Sequence, residues 1–285
     1  MALFPAQVTR AGRGAVRGVA TWIERLARLG YAARGIVYIA VGVVASQAAF
    51  RAGTRVTDTE GAMHTIVRQP HGQILLGVVA LGLVGYALWM LVQALLDPER
   101  VGSDAKGIAR RLGFAGIAVI HGGLALAALR LLLPGGRSGE VGGGDENAVS
   151  WTAWLMSQPY GQWLVGAVGA GIAAFGLHQL YCAATIKLDE QLNLSRLSSR
   201  AREWFIRFGR LGLAARGVVF GVIGWLLIQA ARRFDPTEAV GLGGALETVE
   251  AQSYGPWLLA GVGVGLIAYG LFELVKANYR EIRPG

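Results

Sequence analysis

Among the ionisable side chains in or at the edge of the long apolar stretches of this sequence, five are the candidates for chemistry: Arg34, His121, His178, Arg216 and Glu273. Such groups are costly to keep where water is scarce, so any chemistry is expected there. Arg34, Arg216 and Glu273 each lie within about two helical turns of the basic edge of their stretch. At that depth they can form one or two ion pairs or, with His178, a charged binding site at the mouth of a cavity. His121 and His178 fall at about 10 Å depth on consecutive stretches expected to share one antiparallel hairpin. Two imidazoles at equal depth could ligate a haem, or a metal together with Glu273 and Cys182. No supporting motif accompanies them, so the plain reading is polar packing and no cofactor is expected.

Catalytic signatures are missing from the sequence. There is no H-E-x-x-H, no G-x-S-x-G, no phosphate-cradling G-x-x-x-x-G-K-[ST] and no carboxylate pair within the apolar stretches, so the chain is not expected to be an enzyme. The single cysteine, Cys182, excludes an intramolecular disulfide and a multi-thiolate metal site.

The elements that carry these residues follow from composition. Of the 285 residues 53% are hydrophobic and only 16% charged, with a mean hydropathy of +0.45, which belongs to membrane rather than soluble chains. Apolar stretches run roughly over 35–50, 72–96, 112–133, 161–184, 213–231 and 256–275. Each approaches the ~20 residues that a helix needs to cross a hydrocarbon core about 30 Å thick. Strands with open edges could not satisfy their backbone there, so the spans are helical. The basic first thirty residues lack an apolar core followed by a small-residue cleavage site and do not read as a signal peptide.

The net charge of +9 is unevenly spread. Arg10, Arg13, Arg17, Arg25 and Arg28 precede the first span; Arg100, Lys106, Arg110 and Arg111 follow the second; Lys187, Arg196, Arg200, Arg202, Arg207 and Arg210 follow the fourth. The intervening loops mix few arginines with Asp58, Glu60, Glu140, Asp145, Glu146, Asp235, Glu238, Glu247 and Glu250. By the excess of Lys and Arg on the cytoplasmic side, both termini are expected inside a bacterial inner membrane. The basic side is expected to meet anionic lipid headgroups, at about 1 kcal/mol per nearby cation. No nucleic-acid module accompanies the charge, and no nucleic-acid partner is expected.

The chain also repeats itself. WIERLARLGYAARGIVY at 22–38 matches WFIRFGRLGLAARGVVF at 204–220, which puts Arg34 on Arg216; in the weaker middle copy, RRLGFAGIAVIH, Gly113 falls on Gly30 but Ile117 on Arg34. The second spans align as well, with Gly72, Gly161 and Gly255 in one column, Gly82, Gly171 and Gly265 in another, and Tyr86, Phe175 and Tyr269 in a third. Periodic self-similarity of this kind defines the fold. The expected architecture is an all-α integral membrane protein of six transmembrane helices, arranged as three two-helix repeats about a pseudo-threefold axis. Its boundaries are a cytoplasmic segment 1–21, repeats at 22–98 and 99–186, and a third at 187–285 with a preceding interfacial helix. On the R-L-G-x-A-A-R-G segments at 28–35 and 210–217 and the Y-G-x-W-L segments at 160–164 and 254–258, the chain resembles the bacterial domain-of-unknown-function family numbered 1206. That resemblance implies the same three tandem repeats and no activity.

Segments 13–28 and 196–210 are amphipathic and are expected to lie in the membrane interface. GAMHTIVRQP and GALETVEAQS are expected as short amphipathic pieces at the outer surface, and GGRSGEVGGGDEN as a flexible loop. Small residues at four-residue spacing, as in Gly166, Ala170 and Ala174, prepare close helix contacts in lipid. The functional expectation is a non-catalytic membrane protein, structural or an accessory subunit packing against other membrane proteins. The alternatives are a small-solute or ion transporter or channel using Arg34, Arg216, His178 and Glu273, and a haem or metal protein using His121 and His178.

Overall fold

The computed structural model describes residues 28–50, 59–97, 102–133, 144–185 and 198–279. The regular structure among them is helical: α1 (Arg28–Ala48), α2 (Thr59–Val67), α3 (Gly72–Leu96), α4 (Ala105–Leu132), α5 (Gly144–Met156), α6 (Gly161–Thr185), α7 (Ser199–Arg233), α8 (Leu242–Glu250) and α9 (Gly255–Tyr279), with a 3₁₀ turn at Pro236–Glu238 before α8. Helices α1, α3, α4, α6, α7 and α9 are each long and apolar enough to cross a membrane. Their outward faces carry Ile74, Leu81, Leu95, Val119, Leu177 and Trp225, each more than half exposed, as suits contact with lipid rather than water.

The aligned glycines Gly72, Gly161 and Gly255 explain the shape of the unit. A Cβ at these positions would lie 2.1 Å from the Ile66 carbonyl oxygen, 2.1 Å from that of Leu155 and 1.6 Å from that of Glu250. Only glycine lets the short helices α2, α5 and α8 double back tightly onto the start of the following span. The repeated unit is therefore span, short helix, span. The two short amphipathic pieces expected from the sequence are α2 and α8; of the expected glycine-rich loop, residues 135–143 lie outside the described residues, and its last four, from Gly144, form the start of α5. Its Asp145 carboxylate accepts amides from Gly241 at 2.6 Å and Gly244 at 3.0 Å, which fastens α5 to the beginning of α8. Segment 13–28 lies outside the described residues except for Arg28. Residues 199–210 continue without a break into α7, since nothing between Ser199 and Arg233 terminates the helix.

Two kinds of helix crossing recur. Within the first unit α1 crosses α3 at Gly30 and Gly82, where an added Cβ would sit 2.5 Å from Tyr86 Cβ and 2.3 Å from Ala33 Cβ; in the third unit α7 crosses α9 in the same way at Gly212 and Gly265, against Tyr269 and Ala215. Between units, α9 packs on α1 through Gly35, Gly42, Gly263 and Gly270, and α6 packs on α7 through the equivalent Gly217, Gly224, Gly169 and Gly176. Close backbone approach at small residues is what associates helices in lipid. Where α3 meets α4, the places of Gly35 and Gly42 are taken by the buried Ala118 and Ala125.

The middle unit departs from this scheme. Helix α4 packs on α3 and α6 on α7, but α4 and α6 do not pack on each other. Among the described residues, Gly113, Gly116 and Gly171, which correspond to Gly30, Ala33 and Gly82, have no atom within 4 Å of an added Cβ. The spans thus follow one another as α4, α3, α1, α9, α7, α6, a circuit left open between its ends.

Candidate functional site

Helix α1 carries Tyr31, Arg34 and Tyr38 at spacings of three and four, and α9 carries Tyr269, Glu273 and Lys276 likewise, so each set occupies one helix face. The glycine crossings press these faces together. Arg34 Nη1 donates to the Tyr86 hydroxyl of α3, and its Nη2 to the Tyr269 hydroxyl at 3.3 Å. Arg216 Nη1 of α7 donates to the same Tyr269 oxygen at 2.7 Å, so one phenol bridges two guanidinium groups. The Glu273 carboxylate is fully buried. It receives Lys276 Nζ on Oε1 at 2.9 Å, while Oε2 faces Arg34 Nη1 at 3.7 Å and makes no hydrogen bond.

Both arginines are buried, 9% and 8% exposed, rather than snorkelling to the surface. Aromatic rings take the place of water around them. Arg34 Cζ stands 4.7 Å from the Tyr86 ring centroid, and Arg216 Cζ stands 4.4 Å from Tyr269, 5.1 Å from Phe220, 5.5 Å from Tyr38 and 5.9 Å from Phe175. Arg34 Nε and Arg216 Nε meet no acceptor among the described residues.

The structure unites Arg34, Arg216 and Glu273 and leaves His178 apart. His178 is exposed on α6, where its ring lies 3.5 Å from Cys182 Sγ on the same helix. His121 stands on α4, which does not pack on α6, so the two histidines expected to share a hairpin are not brought together. Instead, His121 Nδ1 donates to the Ile117 carbonyl at 2.9 Å and its ring meets Tyr86 edge-on at 4.8 Å. That edge contact recurs where Tyr38 meets Tyr269 at 4.9 Å and Phe220 meets Phe175 at 5.2 Å. In the repeat, Tyr38, His121 and Phe220 share one column, and each packs on the aromatic of the preceding unit. His121 is therefore the middle unit's version of a packing ring.

The sequence reading missed Tyr86, Tyr269 and Lys276 as partners of the charges. The signal was present in the aromatic column containing Tyr86 and Tyr269, but phenols adjacent to glycines read as packing rather than as hydrogen-bonding groups. Lys276 was grouped with the tail charges, although it lies one turn beyond Glu273.

Six apolar helices built from repeated units, with a polar cluster closed inside them, define a multi-pass helical membrane protein with internal repeats. The family model for the Domain of Unknown Function (DUF1206) matches the chain three times, at residues 29–97, 112–185 and 211–280, and the chain belongs to that family. It is 35% identical over 261 residues to the uncharacterized protein YxxB of Bacillus subtilis (strain 168), covering 92% of each chain. No solved structure matches it.

Proposed function

We propose that the chain is a non-catalytic accessory subunit of the bacterial inner membrane, with both termini inside and its three units set about a pseudo-threefold axis, whose middle unit docks a transmembrane helix of another membrane protein. One observation carries this reading. Among the described residues, the glycine columns clamped by a neighbouring helix in the first and third units are open in the middle one, at Gly113 on α4 and Gly171 on α6, and Gly116, in the column of Ala33 and Ala215, is open as well. Small residues facing lipid forgo the close packing for which they are suited, and a second helix with a similar face restores it. The axis is supported by the three equivalent aromatic contacts and by the recurring glycine crossings.

Native mass spectrometry after mild detergent extraction tests the proposal. The wild-type chain is expected to carry a membrane-protein partner that Gly171→Leu removes while the melting temperature of the chain itself is kept. A contrary result has a clear form: cysteines introduced at 116 and 171 in a Cys182→Ser background join within one isolated chain. That would show α4 and α6 closing on each other, with no place for a partner.

A further inference from the structure

The α9–α1 and α6–α7 contacts occupy equivalent places in the repeat but are not filled alike. Ile39 of α1 lies across from Gly270, its Cγ1 2.6 Å from where an added Cβ would stand. The counterpart of Ile39 on α7 is Gly221, and a Cβ added there would meet no atom within 4 Å among the described residues. Where that aliphatic side chain is missing, a groove of about 420 Å³ opens between α6, α7 and α8, within the ~300–1,000 Å³ of small-ligand sites. Leu177 and Leu180 of α6 and Gly221 and Trp225 of α7 line it, and Thr248 and Gln252 belong to its α8 end. It opens outward between the spans, where Leu177 and Trp225 are more than half exposed.

The walls select the occupant. A water molecule held in a cavity needs roughly two to four polar partners, and this groove offers polar side chains at one end alone. There Thr248 Oγ1 donates to the Gly244 carbonyl at 2.7 Å and Gln252 Nε2 donates to the Thr248 carbonyl at 3.0 Å, which leaves a hydroxyl lone pair and a second amide hydrogen for a ligand. An unfilled gap would forfeit the dispersion contacts of its walls. Between spans the filler at hand is a lipid tail, as apolar as leucine and slim enough to replace one aliphatic side chain. Such a tail is joined to a polar end, and α8 lies at the face where the exposed tryptophans and tyrosines mark the headgroup level.

We propose that the groove holds one acyl chain of a phospholipid, its tail against Gly221 and its ester and headgroup at Thr248 and Gln252, so that the lipid is a resident part of the third unit and ties α6, α7 and α8 together. The site lies along the α6–α7 crossing and not at the open glycines between α4 and α6. It stands if the docking of a partner helix fails.

The test uses the full chain. Native mass spectrometry after mild detergent extraction is expected to find one phospholipid retained per chain, and Gly221→Ile, which restores the first unit's side chain, to release it with the melting temperature kept. The chain stripped of lipid is then titrated with phosphatidylglycerol carrying brominated acyl chains. The fluorescence of Trp225, taken as the difference between wild type and Trp225→Phe, is expected to be quenched saturably at one lipid per chain. Gly221→Ile is expected to weaken that binding about tenfold. Gly221→Ala serves if Gly221→Ile does not fold, with a weakening of about threefold. Saturable quenching supports the site even where extraction strips the lipid. A wild-type chain without saturable quenching overturns it, as does equal binding in wild type and both Gly221 variants. Loss of the lipid in Gly171→Leu but not in Gly221→Ile would move it to the gap between α4 and α6 and overturn the site. A protein retained in the lipid's place and released by Gly221→Ile would assign the groove to another helix, with the same consequence.

Discussion

At the scale of single residues, Glu273 has the least freedom. It is wholly buried, and its nearest cation is Lys276 at 2.9 Å on its own helix, with Arg34 at 3.7 Å across the interface. Replacing it with Gln takes the carboxylate away from both Arg34 and Lys276, and breaking a buried pair by removing one member costs about 3 kcal/mol or more. We expect Glu273→Gln to lower the melting temperature in detergent markedly, and Glu273→Gln with Lys276→Met to regain more of the loss than Glu273→Gln with Arg34→Met. Equal or simply additive effects in the two double variants would show that neither cation is coupled to the carboxylate. The sequence reading grouped Arg34, Arg216 and Glu273 with His178, because charges in apolar stretches are rare enough to be noticed; the first three meet, whereas His178 stands exposed on α6. The phenolic partners of the first three were not legible, since a tyrosine in a span serves equally as a packing ring or as a hydrogen-bonding group until the crossing that presents it is known.

At the scale of elements, the spans could be read from hydropathy alone, and the structure lengthens α4 and α7 at their basic ends, whose charged first turns suit a headgroup region. The repeat was equally visible. What could not be read was that identical columns would be used differently, because periodicity records a helix's preferred contact and not whether the contact is made. Gly82 and Gly171 occupy one column, yet an added Cβ meets Ala33 at 2.3 Å in one case and no atom within 4 Å in the other. Alanine improves helix propensity by about 1 kcal/mol over glycine, and overpacking an interface costs roughly 1–3 kcal/mol. The same substitution should therefore have opposite signs. Gly82→Ala and Gly265→Ala are expected to lower stability, and Gly113→Ala and Gly171→Ala to raise it slightly, in thermal melts of the isolated chain. Losses of similar size at all four positions would show that α4 and α6 are packed at these glycines as well.

At the scale of the whole molecule, the ends of the spans decide how the protein sits in a bilayer. Spans α1, α4 and α7 start, and α3, α6 and α9 end, at one face, to which Arg28, Lys106, Arg110, Arg111, Arg200, Arg202, Arg207 and Lys276 belong. The short helices α2, α5 and α8 lie at the other, with Glu60, Asp145, Glu146, Glu247 and Glu250. Exposed Trp151, Trp154, Tyr160, Trp163, Tyr254 and Trp257 gather at that second face, where amphipathic rings settle at the headgroup level. Lys and Arg in short loops resist translocation, so the first face should remain cytoplasmic. Single cysteines in a Cys182→Ser background provide the measurement. At Gln69, Ser157 and Ser253, exposed turns before the second span of each unit, an impermeant maleimide added to intact cells should label the chain. At Ser103 and Ser199, exposed beside the basic turns, it should label only after the cells are opened. Labelling of Ser199→Cys in intact cells would reverse the orientation, and would place the arginine cluster nearer the outer leaflet than the inner one.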